Sequence, residues 1–267
     1  PDGQDLGVAC HTWAALDLWF LGYPDQASER MGRALDLADA QGQRYTLARV
    51  LSKAAVFHHL RLEIDETQRY AEAALAYATK LGFPYYMATA NMLLGWAQAS
   101  LGQGVEGIAR LNEGLAAYDR TGTEMDRPFF LGLLADAYAR SGQSREALTV
   151  LDEALGSVSS GRPFFYEAEL QRLRGSLFQQ DNPLQDREAA EASFWQALDL
   201  ARRQQARSLE MRTLLALGEL GRVQGDPALQ ERARAMLAET AGWFTEGLGT
   251  RDLEEARRFL NGTGPNP

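Results

Sequence analysis

The chain has 267 residues, of which 45% are hydrophobic, so it is long enough for one large or two small domains and can bury a substantial core. Its formal net charge of −9 argues against nucleic acid or an anionic membrane surface as the main partner, because phosphate groups would be repelled over most of the surface.

The single cysteine, Cys10, excludes an internal disulfide and fits a reducing compartment, for which we expect the cytoplasm. The longest apolar stretch, residues 13–23, is too short to span a bilayer and carries Asp17. No signal peptide is recognised. The sequence begins at Pro1 rather than Met, so we expect it to be a piece of a longer protein.

A helical pattern recurs six times along the chain. The six windows of thirteen residues span residues 26–38, 66–78, 106–118, 146–158, 189–201 and 232–244. In each window the second and ninth positions are small, the sixth is usually large and apolar, and the tenth is usually Leu. These spacings put the small and apolar residues on one face of a helix. Each window therefore predicts an amphipathic helix that a neighbouring backbone approaches closely at the small positions.

A second set of small residues precedes the windows and predicts the first helix of each pair. The set comprises Ala15, Ala55, Gly95, Ala135, Gly175 and Gly218. In four copies a glycine follows seven residues later, where it would end the first helix. These glycines are Gly22, Gly102, Gly142 and Gly225. From this set to the ninth position of the following window is 19 residues in the first four copies and 22 in the last two, which predicts lengthened turns at 181–188 and 225–231.

Three connections between hairpins carry a proline and two aromatic residues. They read FPYYM at 83–87, RPFFL at 127–131 and RPFFY at 162–166. Proline suits the first turn of the following helix. The aromatic residues are expected to fill the groove between successive hairpins.

Paired helices with these small positions resemble the tetratricopeptide repeat. The fourth copy carries the pattern most fully, at Leu134, Ala135, Tyr138, Gly142, Ala147, Leu151 and Ala154. The period is longer than the roughly 34 residues usual for this repeat, and so resembles the long-helix variant of the maltose transcription activator and related signalling ATPases. Residues 82–111 and 242–260 also look like the C-terminal repeat region of bacterial proteins in which a nucleotide cyclase or other output domain and an ATPase module lie upstream.

The resemblance implies an all-α fold: a right-handed α-solenoid of about six antiparallel helix hairpins with a C-terminal capping helix. We expect residues 1–10 to be the tail of a preceding repeat, 252–260 to form the capping helix and 261–267 to be a disordered tail. The hairpins are predicted at about 11–40, 45–80, 84–120, 128–158, 164–205 and 208–246.

Motifs for catalysis are missing from the sequence. It contains no GxxxxGK[ST] phosphate loop, no GxSxG elbow and no Cys/His spacing typical of a metal site. His58 and His59 are the one candidate metal pair, but adjacent helical residues point about 100° apart. His58 is therefore expected in the core or half-buried, and His59 facing the solvent. We expect no catalytic residue, no cofactor and no metal, and we interpret the carboxylate and Arg clusters as solvated helix faces.

The concave face of such a solenoid is its usual binding surface, and the resemblance puts three positions of each first helix on it. The candidate partner-binding residues there are Trp19, Phe20, His59, Trp96, Arg140 and Arg172. Trp and Arg are residue types that dominate interface energies. The alternative is that Trp19 and Phe20 pack against a preceding repeat and that Trp96 packs against its neighbours.

We therefore predict a non-catalytic protein-interaction or sensor scaffold, the regulatory repeat arm of a bacterial signalling ATPase or nucleotide cyclase protein. Its partner is expected to be a protein or peptide, and the resemblance points to the ATPase module upstream in the same protein. A small-molecule inducer module and a structural oligomerisation arm are the alternatives. The first hairpin is expected to expose an apolar flank through which the piece self-associates.

Overall fold

The computed structural model describes residues 5–158, 164–181 and 186–262. The regular secondary structure of these residues is α-helical, and they form thirteen helices. The helices are α1 (Leu6–Leu21), α2 (Pro24–Gln41), α3 (Arg44–Leu60), α4 (Ile64–Leu81), α5 (Pro84–Ser100), α6 (Gly104–Asp119), α7 (Arg127–Arg140), α8 (Ser144–Val158), α9 (Glu167–Asp181), α10 (Arg187–Arg203), α11 (Arg207–Gln224), α12 (Pro227–Trp243) and α13 (Arg251–Leu260).

The chain divides into two compact units. Unit 1 comprises Pro1–Asp17 and Gln26–Ala154, and unit 2 comprises Leu18–Asp25 and Leu155–Pro267. In unit 1, α3 packs against α4 and α5 against α6, while in unit 2, α9 packs against α10 and α11 against α12. Across the helices that are described, none has both the length and the apolar content needed to cross a bilayer.

The small residues predicted from the repeat lie where paired helices come closest. A Cβ atom added to Gly95 in α5 would lie 2.7 Å from the Gly107 carbonyl oxygen in α6, and one added to Gly107 would lie 2.5 Å from the Gly95 carbonyl oxygen. In unit 2, a Cβ on Gly175 would lie 2.7 Å from the Phe194 ring. The small positions therefore allow contact between helices that a methyl group would prevent.

The hairpin turns use the left-handed backbone conformation that glycine adopts most easily. Gly22, Gly102 and Gly142 have φ angles of 90°, 87° and 73°. The second hairpin lacks a glycine there, and Leu62 takes the left-handed conformation instead, with φ 59°. Pro84 lies in the first turn of α5, as the sequence predicts.

Two boundaries differ from the predictions. Helix α1 begins at Leu6, inside the predicted tail of residues 1–10, because Val8 and Ala9 are buried and continue the helical pattern. The lengthened turn predicted at 225–231 is wrong: α11 runs to Gln224 and α12 begins at Pro227, so residues 227–231 are helical. The predicted turn at 181–188 and the tail at 261–267 lie largely outside the described residues, as does the proline of 162–166.

Residues 18–25 are covered within unit 2. Ser208 Oγ donates a hydrogen bond of 2.6 Å to the Trp19 carbonyl oxygen, and the Gly247 N–H donates one of 2.9 Å to Asp25 Oδ2. The Tyr23 and Trp243 ring centroids are 5.0 Å apart. These residues of the first hairpin therefore pack against C-terminal residues within unit 2, and self-association through the rest of that hairpin stays a prediction.

Candidate interaction site

Helices α3, α5 and α7 bring two of the predicted partner-binding residues together in unit 1. The His59 ring lies edge-on to Trp96, with centroids 4.3 Å apart, and 5.4 Å from the Phe129 centroid. His59 is only 4% exposed. The prediction that His59 faces the solvent is wrong, because the following first helices cover this position of the repeat.

Asp136 links Trp96 to a third predicted residue, Arg140. Trp96 Nε1 donates a hydrogen bond of 2.8 Å to Asp136 Oδ2, and Arg140 Nε donates one of 2.9 Å to the same oxygen. The indole is buried, whereas 44% of the Arg140 side chain is exposed. Of these three predicted residues, Arg140 therefore presents the most surface to a partner.

The other three predicted residues lie in unit 2. Trp19 is 3% exposed, and the Arg212 guanidinium carbon is 5.0 Å from its ring centroid. The half-buried Phe20 contacts the Phe165 ring at 5.7 Å between centroids. Arg172 donates two hydrogen bonds to Glu169, at 2.9 and 2.7 Å. The six predicted residues thus divide equally between the two units, and their role in partner binding stays a prediction.

His58 is held in place by contacts with neighbouring side chains. Its Nδ1 atom lies 2.5 Å from Glu63 Oε2, and its ring stacks on Tyr70 with centroids 4.9 Å apart and planes 8° apart. Arg61 Nε donates a hydrogen bond of 2.8 Å to the other Glu63 oxygen. Among the described residues, no group of three or more His, Cys, Asp and Glu side chains could hold a metal ion.

A large cleft opens in unit 1 beside α3, α5 and α6, with a volume of about 1290 Å³. We call it the tyrosine cleft. Its aromatic lining consists of Trp13, Tyr45, Phe83, Tyr85 and Tyr86. Small residues of α5 and α6 also line the cleft, and they include Ala88, Gly114 and Ala117.

The aromatic rings of the tyrosine cleft pack edge-on against each other. The Tyr45 centroid lies 5.8 Å from that of Phe83 and 5.7 Å from that of Tyr86, and Tyr85 lies 5.1 Å from Tyr86. Tyr86 is 6% exposed, whereas Tyr45 and Trp13 are 40% and 45% exposed. The cleft therefore has a buried aromatic wall and an accessible aromatic rim.

Lys53 and Asp126 lie among these rings. Lys53 Nζ is 3.3 Å from Asp126 Oδ2 and 5.1 Å from the Trp13 centroid. The Tyr85 hydroxyl donates a hydrogen bond of 3.4 Å to the same Asp126 oxygen. Burial raises the pKa of the Tyr85 phenol, and the Asp126 charge raises that pKa further. The Tyr85 hydroxyl is therefore a hydrogen-bond donor at neutral pH.

The sequence-based interpretation missed this cleft. Its FPYYM motif was expected to fill the groove between hairpins, and Tyr86 does pack between helices, but Tyr85 and Phe83 are half-exposed walls of a cavity. The available signal was the coincidence of these aromatics with small residues in the third hairpin, at Gly114, Ala116 and Ala117.

Comparison with known proteins identifies the fold but does not show a family. No family model matches the sequence. An uncharacterised protein of Rhizobium meliloti (strain 1021) is 25% identical over 223 residues, which cover 84% of this chain and 22% of that protein. The chain therefore spans about a fifth of the length of the curated relative that it matches.

Two solved structures illustrate the similarity. A Rap protein complexed with Competence and Sporulation Factor has a TM-score of 0.66 at 12% identity, over 98% of this chain and 76% of that one. A signal transduction ATPase with a tetratricopeptide repeat sensor, from Pyrococcus horikoshii, has a TM-score of 0.54 at 14% identity, over 95% of this chain and 38% of that one. The structural neighbours are tetratricopeptide-like repeat proteins, and the predicted all-α repeat-solenoid fold class is confirmed.

Proposed function

We propose that the chain is a non-catalytic protein-interaction module whose tyrosine cleft holds an extended peptide segment of a partner protein. The observation that carries this proposal is the cleft itself, about 1290 Å³ in volume and walled by five aromatic side chains. Small-molecule sites usually enclose about 300–1,000 Å³. A cavity larger than this range favours a peptide segment over the small-molecule inducer that the sequence left as an alternative.

Apolar surface is concentrated on the cleft rim. Trp13 and Tyr45 are exposed to 45% and 40%, and Met125 to 79%. Single exposed apolar residues are common on proteins, but a group of them around one concavity marks a binding site. A bound segment would cover these side chains, and that burial would favour binding.

The wider setting is also a proposal. We assign the chain to the regulatory repeat arm of a bacterial cytoplasmic signalling protein, with the segment supplied by an upstream ATPase module or another protein. Support comes from the resemblance of the repeats, from a relative of which the chain spans 22%, and from a structural neighbour that combines a signal transduction ATPase with a repeat sensor. In this setting Arg140, Phe20 and Arg172 provide further contacts, while Trp19, His59 and Trp96 support them by packing.

Filling the cleft tests the proposal. A displayed library of random dodecapeptides is selected on the chain, and fluorescence anisotropy measures the binding of the enriched peptides. Ala117→Trp puts an indole into the cleft from α6. Ala40→Trp is the matched control, because Ala40 is an exposed helical residue outside the cleft lining.

We expect the selected peptides to bind the wild type and Ala40→Trp equally, and Ala117→Trp at least roughly tenfold more weakly, as for the loss of a buried anchor. Equal binding to Ala117→Trp would place the peptide site elsewhere and overturn the proposal. So would a selection that enriches no peptide. Circular dichroism of both variants checks that the helices are intact.

A further inference from the structure

The charge of the tyrosine cleft differs from that of the whole chain. Four cationic side chains line it, against the two carboxylates of Glu113 and Asp126. The cations are Arg49, Lys53, Arg110 and Arg120. The chain as a whole has a formal net charge of −9. A positively charged cleft attracts anionic ligands even on a protein whose net charge is negative.

Two of the guanidinium groups are available to a ligand. Lys53 pairs with Asp126, and Arg110 Nε donates a hydrogen bond of 3.0 Å to Asn91 Oδ1. Within the described parts of the chain, Arg49 and Arg120 form no ion pair with a carboxylate. Arg49 instead lies near the Trp13 ring, with its guanidinium carbon 6.0 Å from the centroid.

This pattern contrasts with the arginine next to the cleft. Arg127 directly follows Asp126 in the chain, and it pairs with Asp119 at 2.9 Å and with Glu153 at 2.6 Å. Carboxylates are abundant in the chain, with 36 Asp and Glu residues against 27 Lys and Arg. Unlike Arg127, two arginines on the cleft wall, Arg49 and Arg120, keep their guanidinium groups free of carboxylate partners among the described residues. Arginine binds carboxylates in a planar, two-bond geometry that a flexible ligand can satisfy.

The apolar part of the cleft sets a second requirement for the ligand. Tyr45, Phe83 and Tyr86 form an edge-on group with centroids 5.7 to 6.2 Å apart. Ala116 and Ala117 on α6 add only small side chains to the cleft lining. The cleft suits an aromatic or other large apolar side chain, which would continue the edge-on packing.

We infer that the tyrosine cleft recognises an extended acidic segment of a partner protein, with a large apolar side chain against Tyr45 and Tyr86 and carboxylates on Arg49 and Arg120. The inference rests on the proposed function, since it names the chemistry of the same occupant. Charge complementarity selects the acidic segment, and the aromatic group distinguishes it from a purely charged chain.

The test uses the dodecapeptide selection and the whole chain. We expect the enriched peptides to contain more Asp and Glu than the input library, together with Phe, Tyr, Trp or Leu. Arg49→Ala and Arg120→Ala should each weaken the best peptide roughly tenfold, as for the loss of a charge-assisted hydrogen bond. Arg49→Lys should weaken peptide binding less than Arg49→Ala does. Arg145→Ala is the matched control, because Arg145 is exposed, lies in unit 1 and is outside the cleft lining.

The outcomes separate the two proposals. The selected peptides could instead be neutral or basic, and their binding could be lost in Ala117→Trp but unchanged in Arg49→Ala and Arg120→Ala. That result would overturn the acidic chemistry and leave the peptide-binding function standing. If Ala117→Trp weakens the binding of none of the selected peptides, both the proposed function and the acidic chemistry are wrong. Oligothymidylate of similar length is the competing polyanion with stacking rings. Tighter binding of oligothymidylate than of any selected peptide, lost in Ala117→Trp, would also overturn the inference.

Discussion

Arg212 and Asp252 form a bidentate ion pair in the interior of unit 2. Arg212 Nε donates to Asp252 Oδ1 at 2.9 Å and Nη2 donates to Oδ2 at 2.7 Å, and the two side chains are 8% and 9% exposed. The pair joins α11 to α13, where Leu253 and Ala256 are also buried. The predicted capping helix is therefore fixed both by apolar burial and by one desolvated pair.

Removing one partner of this pair should destabilise unit 2 strongly. Asp252→Ala leaves the Arg212 charge buried without its carboxylate, and we expect a loss of about 3–5 kcal/mol in the free energy of unfolding. Urea denaturation followed by circular dichroism measures it. Glu255→Ala in the same helix is the control: it breaks the exposed Arg251–Glu255 pair and should cost less than about 1 kcal/mol. Equal losses in the two variants would contradict the prediction.

The repeat pattern was sufficient to predict the helix pairs because its physical cause is local. Gly95 and Gly107 are small since two backbones meet there, and that requirement recurs in each copy with the same spacing. The turn glycines follow from the left-handed conformation that ends a helix, as at Gly102. Both features can be read from a single sequence without knowing how the hairpins stack.

The tyrosine cleft and the covering of residues 18–25 could not be predicted in this way. Ser208 and Trp19 are 189 residues apart in sequence, and no periodicity relates them. The cleft combines Tyr45 with Ala117 of another hairpin, and the repeat spacing does not relate these two positions. His59 was misplaced for the same reason, since its burial is decided by Trp96 and Phe129 of the following first helices.

Two glycine-to-alanine substitutions in unit 1 should change stability in opposite directions. At Gly95 a Cβ atom would clash with the Gly107 carbonyl oxygen at 2.7 Å, and we expect Gly95→Ala to cost about 1–3 kcal/mol. Gly32 lies in α2 with nothing within 4 Å of an added Cβ, so Gly32→Ala should gain about 0.5–1 kcal/mol. Chemical denaturation compares both with the wild type, and the same sign for both would refute the close-packing interpretation.

Trp96 should contribute more to stability than the exposed Trp13. Trp96→Ala removes a ring that is 1% exposed and should cost about 3–5 kcal/mol. Trp96→Phe keeps a buried ring but loses the hydrogen bond to Asp136, for an expected cost of about 1 kcal/mol. Trp13→Phe should stay within about 0.5 kcal/mol of the wild type. Thermal unfolding ranks the three, and a Trp96→Ala variant as stable as Trp13→Phe would contradict the packing role.

The Glu63 carboxylate should make unit 1 less stable in acid. Burial raises the pKa of this group, but hydrogen bonds from His58 and Arg61 and their charges outweigh burial and hold the pKa below its usual 4.5. A carboxylate with a lowered pKa in the folded state contributes its full stabilisation above its unfolded value, and loses it as the pH falls through the folded value. The free energy of unfolding should therefore decrease on acidification below about pH 4.5.

Glu63→Gln tests this dependence because glutamine keeps the shape of the side chain without the titrating group. Urea denaturation at several pH values should show that the wild type is the more stable protein near neutrality and that the difference narrows as the pH falls. Arg61→Gln removes one donor and one charge from Glu63, so its stability should depend on pH less steeply than that of the wild type. Parallel curves for the wild type and Glu63→Gln would mean that His58 and Arg61 do not hold the Glu63 carboxylate in its charged form.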